Sequence, residues 1–376
     1  MKLTRRVVIL AKTEEVYGQD AEPTGADAIL CNSGVDVKPQ GDTLERDVAR
    51  DSLSPLGSVI GAKTISFDVT VELKGGGLAG AVLQAPEYEP LLLSCGMARL
   101  DVTELTLSAI PVGLAVGDEV SDDSTSAHGI VAYMHGLVVG LSGVAGGEFA
   151  SGNKVNTNAA TITAEPVAAI SYAPLSDPTL TKSSSILFFK DGILHKALGC
   201  RGSFDVDAPS GKYGTVKFTI TGLWTDPVDQ VPAAPQYVDL VPPICVAMGL
   251  TIGDYIPVGI SSLTLSLAAE VAKRVDLNAA EGINGLVIKS RKPTGSLDPE
   301  VDTLAGFNPW TAWKSATKAS IFARIGQEPG NSVGILVPQA QYSEIAYADR
   351  DNIATYKLSF ACTSSAGDDE LRLIYH

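Results

Sequence analysis

ILFFKDGILHK, residues 186 to 196, is the stretch on which the fold turns. Two apolar runs flank Asp191-Gly192. Asp-Gly in that setting signals a two-residue β-hairpin turn, because both residues accept a positive φ. Further on, GTVKFTITGLW (214–224) alternates Val216, Phe218 and Ile220 with polar residues, the period of a strand buried on one face. KTISFDVTVEL (63–73) repeats the pattern through Ile65, Phe67, Val69, Val71 and Leu73. The chain reads as mainly β.

Only two stretches carry a helical pattern. PEYEPLLLSCGMARL starts one near Pro90. FNPWTAWKSATKASIFARIG is the other, with Asn308 as N-cap, Pro309 in the first turn and Gly326 after the last. On a helix, Trp310, Trp313, Ala316, Thr317, Ser320 and Ile321 share one face, which reads as core.

The chain has 376 residues, 45% hydrophobic and 19% charged, which suits two or three globular domains. Its formal charge of −15 argues against gripping nucleic acid, since such affinity comes from Lys and Arg neutralising phosphates. An acidic wall would instead repel a duplex. The basic start MKLTRR precedes only five apolar residues, Val7 to Ala11, too few for a signal peptide. Ser124 to Gly147 is uncharged but interrupted by six glycines, so it reads as a buried hairpin and not as a membrane span. Cys31, Cys95, Cys200, Cys245 and Cys362 are widely spaced and form no metal-binding pair, as expected of small buried residues in a reducing cytoplasm.

Five prolines between Thr225 and Pro243 forbid regular structure and mark a stiff linker near residue 235. The two sides resemble each other. TVKFTIT (215–221) matches TYKLSFA (355–361) at a displacement of 140, and Ile65–Val71 matches Leu263–Ala269 at 198. The helix prolines, Pro90 and Pro309, lie 219 apart, so the first side holds 79 extra residues before its last strand. This predicts a first domain of residues 1–100 with 181–232, an inserted β domain at 101–180, and a second domain at 233–376. The expected fold is therefore mainly β: two tandem sandwich or barrel domains, each with one flanking α-helix, and a small inserted β domain.

GGEFASGNKV (146–155) superficially resembles a phosphate-binding loop. A true one needs Gly-Lys-Ser/Thr leading into a helix, and here Asn153 stands in the Lys place. LAVGDEV (114–120) and FASGNKV (149–155) match each other, so both read as turns entering strands. His128, His135, His195 and His376 lack metal-pair spacing, and no nucleophile elbow is present. Asp368-Asp369-Glu370 and Asp349-Arg350-Asp351 do not follow a Ca²⁺-loop ladder and read as solvated turns. No catalytic, cofactor-binding or metal-ligating residue is assigned, and no enzyme activity is expected.

AQYSEIAYADRDNIATYKLSFACTSSAGDDELRLIY at the C-terminal end resembles the ending of tail tube (major tail) proteins of long-tailed bacteriophages with non-contractile tails. SSSILFFKDGILHKALGCRGSFDVDAPSGKYGTVKFTITGLW is similar to an internal segment of the same group, and VVILAKTEEVYGQDAEPTGADAIL to its opening. The resemblance implies a virion protein made in the host cytoplasm, whose domains join edge to edge into six-domain rings that stack into a DNA-conducting tube. With two domains per chain, the expectation is a homotrimer of pseudo-sixfold symmetry. It implies tape-measure, terminator and distal tail proteins as further partners, double-stranded DNA passing without specific binding, no cofactor and no membrane. Asn32 to Pro55 and Gly285 to Phe307 are the expected ring-stacking loops, and residues 101–180 an outward decoration. Two other classes remain open from sequence: another tail ring component, such as a terminator or baseplate protein, and a carbohydrate-binding or carbohydrate-active β-protein.

Overall fold

The computed structural model describes residues 6–32, 35–52, 54–156 and 159–376. Strands of four or more residues are numbered here in chain order. The first half contains β1 (Val7–Thr13), β2 (Asp36–Leu44), β3 (Val59–Glu72) and the short helix α1 (Glu89–Ser94). Next come β4 (Met97–Thr106), β5 (His128–His135), β6 (Val138–Ala145) and β7 (Val167–Pro174). The first half closes with β8 (Ser184–Lys190), β9 (Ile193–Pro209) and β10 (Thr215–Leu223). Past the proline-rich stretch lie β11 (Ser262–Ser266), β12 (Ala269–Val275), β13 (Ile283–Arg291) and β14 (Thr294–Leu297). Then follow α2 (Pro309–Lys314), β15 (Lys318–Ile325), β16 (Val333–Arg350), β17 (Ile353–Cys362) and β18 (Arg372–Tyr375). The protein is mainly β, and no closed barrel forms among the described residues.

The opening stretch folds as its sequence dictates. Lys190 pairs with Ile193, and Asp191 (φ 46°) and Gly192 (φ 86°) form the turn with the positive φ values it demands. Asp351 and Asn352 (φ 55° and 66°) turn β16 into β17 in the same way.

One sheet layer runs in the order β2–β3–β10–β9–β11–β14–β17–β16, every neighbour antiparallel. It crosses from the first half to the second through Asp205–Pro209 of β9, which pair with Ser262–Ser266 of β11. Two strands are long enough to serve both layers. β9 pairs through its first part with β8 and through its second with β10, with a register shift between Leu198 and Arg201. β16 pairs first with β15 and then with β17, with a shift between Tyr342 and Glu344. Such bulges bend a strand, which carries it from one layer into the other. The core fills the space between layers. Val71, Val216, Val206, Leu265, Phe360 and Tyr342 form one buried row, and Phe67 of β3 meets Phe188 of β8 with ring centroids 6.1 Å apart. In that row Gly295 leaves room for the ring of Phe360, which a Cβ would overlap at 2.4 Å. α1 plugs the core with Leu91 and Leu92.

Both helices are shorter than the sequence pattern suggests, and the second corrects it. Asn308 caps α2 by accepting from the Thr311 amide at 3.0 Å, but the helix ends at Lys314. Ser315 Oγ donates to the Thr311 carbonyl, Ala316 turns left-handed (φ 53°), and Lys318–Ile325 is a strand burying Ile321, Ala323 and Ile325. The alternation of those three residues, period two, outweighs the helical spacing of the tryptophans. Gly326 (φ 81°) thus ends a strand. In the first helical stretch Gly96 (φ 79°) stops α1, and Met97 opens β4.

The expected loops are also corrected. Much of Asn32 to Pro55 is β2, leaving an irregular segment only after Leu44; residues 33, 34 and 53 lie outside the described residues. Most of Gly285 to Phe307 is β13 and β14. β2 is exposed along nearly its whole length, so it has no apolar face to give a period-two signal.

The proline-rich stretch has no strand longer than two residues, yet it lies against the first half. The Gln236 amide donates to the Gly25 carbonyl at 2.7 Å, and Lys74 Nζ donates to the Val238 carbonyl at 3.3 Å. A Cβ on Gly25 would sit 2.0 Å from the Ala234 carbonyl oxygen, so this contact requires glycine. Lys74, 1% exposed, is also paired with the buried Glu87 at 3.5 Å.

Ser124 to Gly147 is the expected hairpin, β5 and β6 with Gly136 (φ 52°) at the turn. No helix among the described residues is long and apolar enough to cross a membrane. The region between α1 and β8 has its own small core, including Leu105, Val120, Leu141 and Val155. It is fused to the rest through sheet: β4 pairs with β7, β7 with β18, and β18 with β16.

Candidate assembly surface

The face of the eight-strand layer that points away from the core is polar. Glu72, Thr215, Asp207, Thr264, Ser296, Ser359 and Glu344 stand side by side across seven strands, next to the buried row just described. Most of its side chains are short. Thr264 and Ser296 hydroxyls meet at 2.7 Å, and Thr219 donates to Asp68 at 3.2 Å. Asp36, Asp68, Glu72, Asp205, Asp207 and Glu344 outnumber Lys38, Lys217 and Lys357 on it, so the face is acidic. At its margin Arg350 is paired with Asp298 and Glu300, both at 3.2 Å.

Each end of this layer is an open edge. β2 pairs only with β3, and residues 343–350 of β16 pair only with β17, among the described residues. Unpaired edges of this length invite another strand. Apolar side chains cluster near both: Leu44, Val59 and Ile60 around β2, and Tyr347 at 64% exposure on β16. Tyr347 stacks on Tyr356 at 5.5 Å and meets Trp310 at 5.6 Å, so an aromatic end of the core lies open. The β2–β3 arm and the β12–β13 arm touch, with Lys63 Nζ 2.9 Å from Glu281.

The residues screened for chemistry have structural surroundings. Gly117 (φ 96°) and Gly152 (φ 86°) occupy equivalent turns: Gly117 donates to Val131 as Gly152 does to Ile162, both at 2.8 Å. The lysine of GGEFASGNKV enters a two-residue strand, Lys154–Val155, where a phosphate loop has a helix. Of Asp349-Arg350-Asp351, only Asp351 lies in the exposed turn, with Asn352; Asp349 and Arg350 end β16, and Arg350 is paired rather than solvated. Asp368-Asp369-Glu370 is not simply solvated. Arg291 is paired with Asp368 and Glu370, and Asp369, 5% exposed, accepts from Ser364 and Ser365. All five cysteines are free, four of them buried; burial pushes the Cys31 and Cys245 thiols up to about 11 and Cys362 up to about 12. His195 is held below its usual value by burial and by nearby Lys190. No cluster of three His, Cys, Asp or Glu side chains fit to hold a metal occurs among the described residues. A cleft of about 970 Å³ separates the β12–β13 arm from the first half, but Arg201 and Arg291 on its wall are engaged by backbone carbonyls and carboxylates.

Sequence reading missed one constellation. Glu104, buried on β4, accepts from Tyr133 at 2.7 Å and lies 3.0 Å from His376 and 3.8 Å from His135. His135 stacks on Phe322 at 3.7 Å, and Arg372 lies over the Tyr133 ring. These groups join the inserted region to the second half. No local signal could reveal them, because the partners are separated by up to about 270 residues of chain.

The acidic polar face and the two open edges are the surfaces that this layer offers to a neighbour among the described residues. The family comparison is specific: a family model described as phage tail tube protein matches residues 4–363. The chain belongs to that family and is a structural protein of the phage virion tail, where a tail tube implies self-association. No curated protein matches it.

Proposed function

We propose that three copies close into a ring of pseudo-sixfold symmetry, and that stacked rings form the tube of a long non-contractile tail through which genomic DNA leaves the capsid. The observation that carries this reading is the eight-strand layer with a continuous acidic face. Four strands come from each half, in matching order: β2–β3–β10–β9 and β11–β14–β17–β16. In each set the last strand is the long bent one. The correspondence supports a duplicated unit and aligns TVKFTIT (β10) with TYKLSFA (β17). It shifts the partner of Ile65–Val71 from Leu263–Ala269 to β13 and β14, since β3 and β14 each neighbour the aligned strand. The first domain then comprises residues 1–100 with 181–232, the second 233–376, and residues 101–180 form an inserted domain on the outside.

Three chains supply twenty-four strands. At about 4.8 Å per strand their perimeter is at least ~115 Å, enough to surround a duplex once strands tilt. A duplex carries about one charge per ~1.7 Å, and an acidic lining of short side chains lets it pass without adhering. Head-to-tail contacts that close a ring also remove the exposed edges. Electron microscopy of assembled protein, with symmetry analysis, tests the reading. Hollow tubes with three chains per layer are expected; six chains per layer would reject the duplication, and solid fibres would reject the conduit.

A further inference from the structure

The two halves of one chain already meet edge to edge. β9 offers Asp205–Pro209 to β11, with Asp205 opposite Ser266, Val206 opposite Leu265 and Asp207 opposite Thr264. The Leu267 amide donates to the Phe204 carbonyl at 3.0 Å, which fixes which residues bond across the junction. There Val206 is only 2% exposed, because the second half covers it.

The same two strand positions recur at the ends of the layer with no strand beyond them among the described residues. Val216 of β10 aligns with Tyr356 of β17, so Val206, opposite Val216, corresponds to Tyr347, opposite Tyr356. At the other end Phe67 pairs with Ile220 and Gly295 with Phe360, which are aligned residues, so Val37, opposite Phe67, corresponds to Leu265, opposite Gly295. Tyr347 therefore has the place of a covered core residue, yet it is 64% exposed.

We infer that the contact between copies repeats the contact within the chain: residues 345–349 of β16 pair antiparallel with β2 of the next copy, Tyr347 opposite Val37 and Ala348 opposite Asp36. The occupant of the open edge is thus a second copy of this chain, and the inference rests on the ring proposed above. Pairing covers the aromatic end of the core and continues the polar face from one chain to the next. Glu344 then lies diagonally across from Lys38 of the neighbour, within reach of a favourable cross-strand pair. Pro39 takes the place of Leu267 and has no N–H to donate, so the ladder ends one bond short there. An edge ending in proline also discourages longer, indiscriminate pairing.

Cysteine pairing tests the register. Ala348 and Asp36 correspond to Asp207 and Thr264, which lie between bonded pairs, the positions where Cα atoms are closest and a disulfide fits. The two residues sit at opposite ends of an eight-strand layer, about 34 Å apart at ~4.8 Å per strand, so a link between them must join two chains. Tubes of the unsubstituted chain are first established by electron microscopy. The double variant Asp36→Cys with Ala348→Cys is oxidised and run without reductant, beside each single variant and the pair Val37→Cys with Ala348→Cys, whose side chains face opposite sides. The expected result is a covalent ladder ending at three chains from the first pair and none from the controls. A ladder ending at six upholds the register and rejects the trimer. Tubes that form with the first pair unlinked overturn the register while leaving the tube intact. A chain that builds no tube and yields no link overturns both.

Discussion

Glu104 shows how one side chain can secure the seam between the inserted region and the second half. Burial alone would raise its carboxyl, but the neighbouring His135, His376 and Tyr133 overcome that and hold it well below the usual carboxylate range. A depressed carboxylate stabilises the fold above its unfolded value of about 4.3, and that contribution fades as pH falls toward the folded value. Glu104→Gln is expected to cost about 1–3 kcal/mol at neutral pH. Thermal melts across pH check the sign: the gap from the unsubstituted protein should narrow below about pH 4, and a gap that stays constant would contradict the assignment. Gly25 makes a second residue-scale prediction. Gly25→Ala drives a Cβ into the Ala234 carbonyl, so the proline-rich stretch must lift. The expected outcome is a loss of about 1–3 kcal/mol together with faster limited proteolysis between residues 225 and 243, read by mass spectrometry.

The hairpin at Asp191-Gly192 is the element most strongly written in the local sequence. Gly192→Val places a β-branched residue at φ 86° and should cost about 1–2 kcal/mol, measured by denaturant unfolding; an unchanged midpoint would mean the turn is not under that constraint. Legibility of the other elements follows from burial on one side. β3 and β10 alternate because one face is core and the other polar, so both are plain in the sequence. β2 has no buried face and vanishes from the pattern, although it forms an edge of the layer. β15 hides behind a helical spacing of Trp310 and Trp313 that belongs to only six residues of helix. The lack of a phosphate loop at Gly152 was legible, since turn chemistry is local. The buried cluster around Glu104 was not, because it depends on which strands become neighbours.

For the whole molecule, the pairing of β9 with β11 does more than join two halves. It makes one uninterrupted layer whose polar face has an acidic balance and whose two ends are unpaired among the described residues. Membership of the phage tail tube family implies self-association, and the proposed ring would close at those two ends. The inserted region is held by sheet pairing through β7 and β18, so it should move with the second half as one body. The most direct test of the account is a cryo-electron microscopy reconstruction of the assembled tube. Three chains per ring, with Asp68, Asp205 and Glu344 facing the lumen, is the result this account predicts. A ring of six whole chains, or a layer whose polar face points outward, would contradict it.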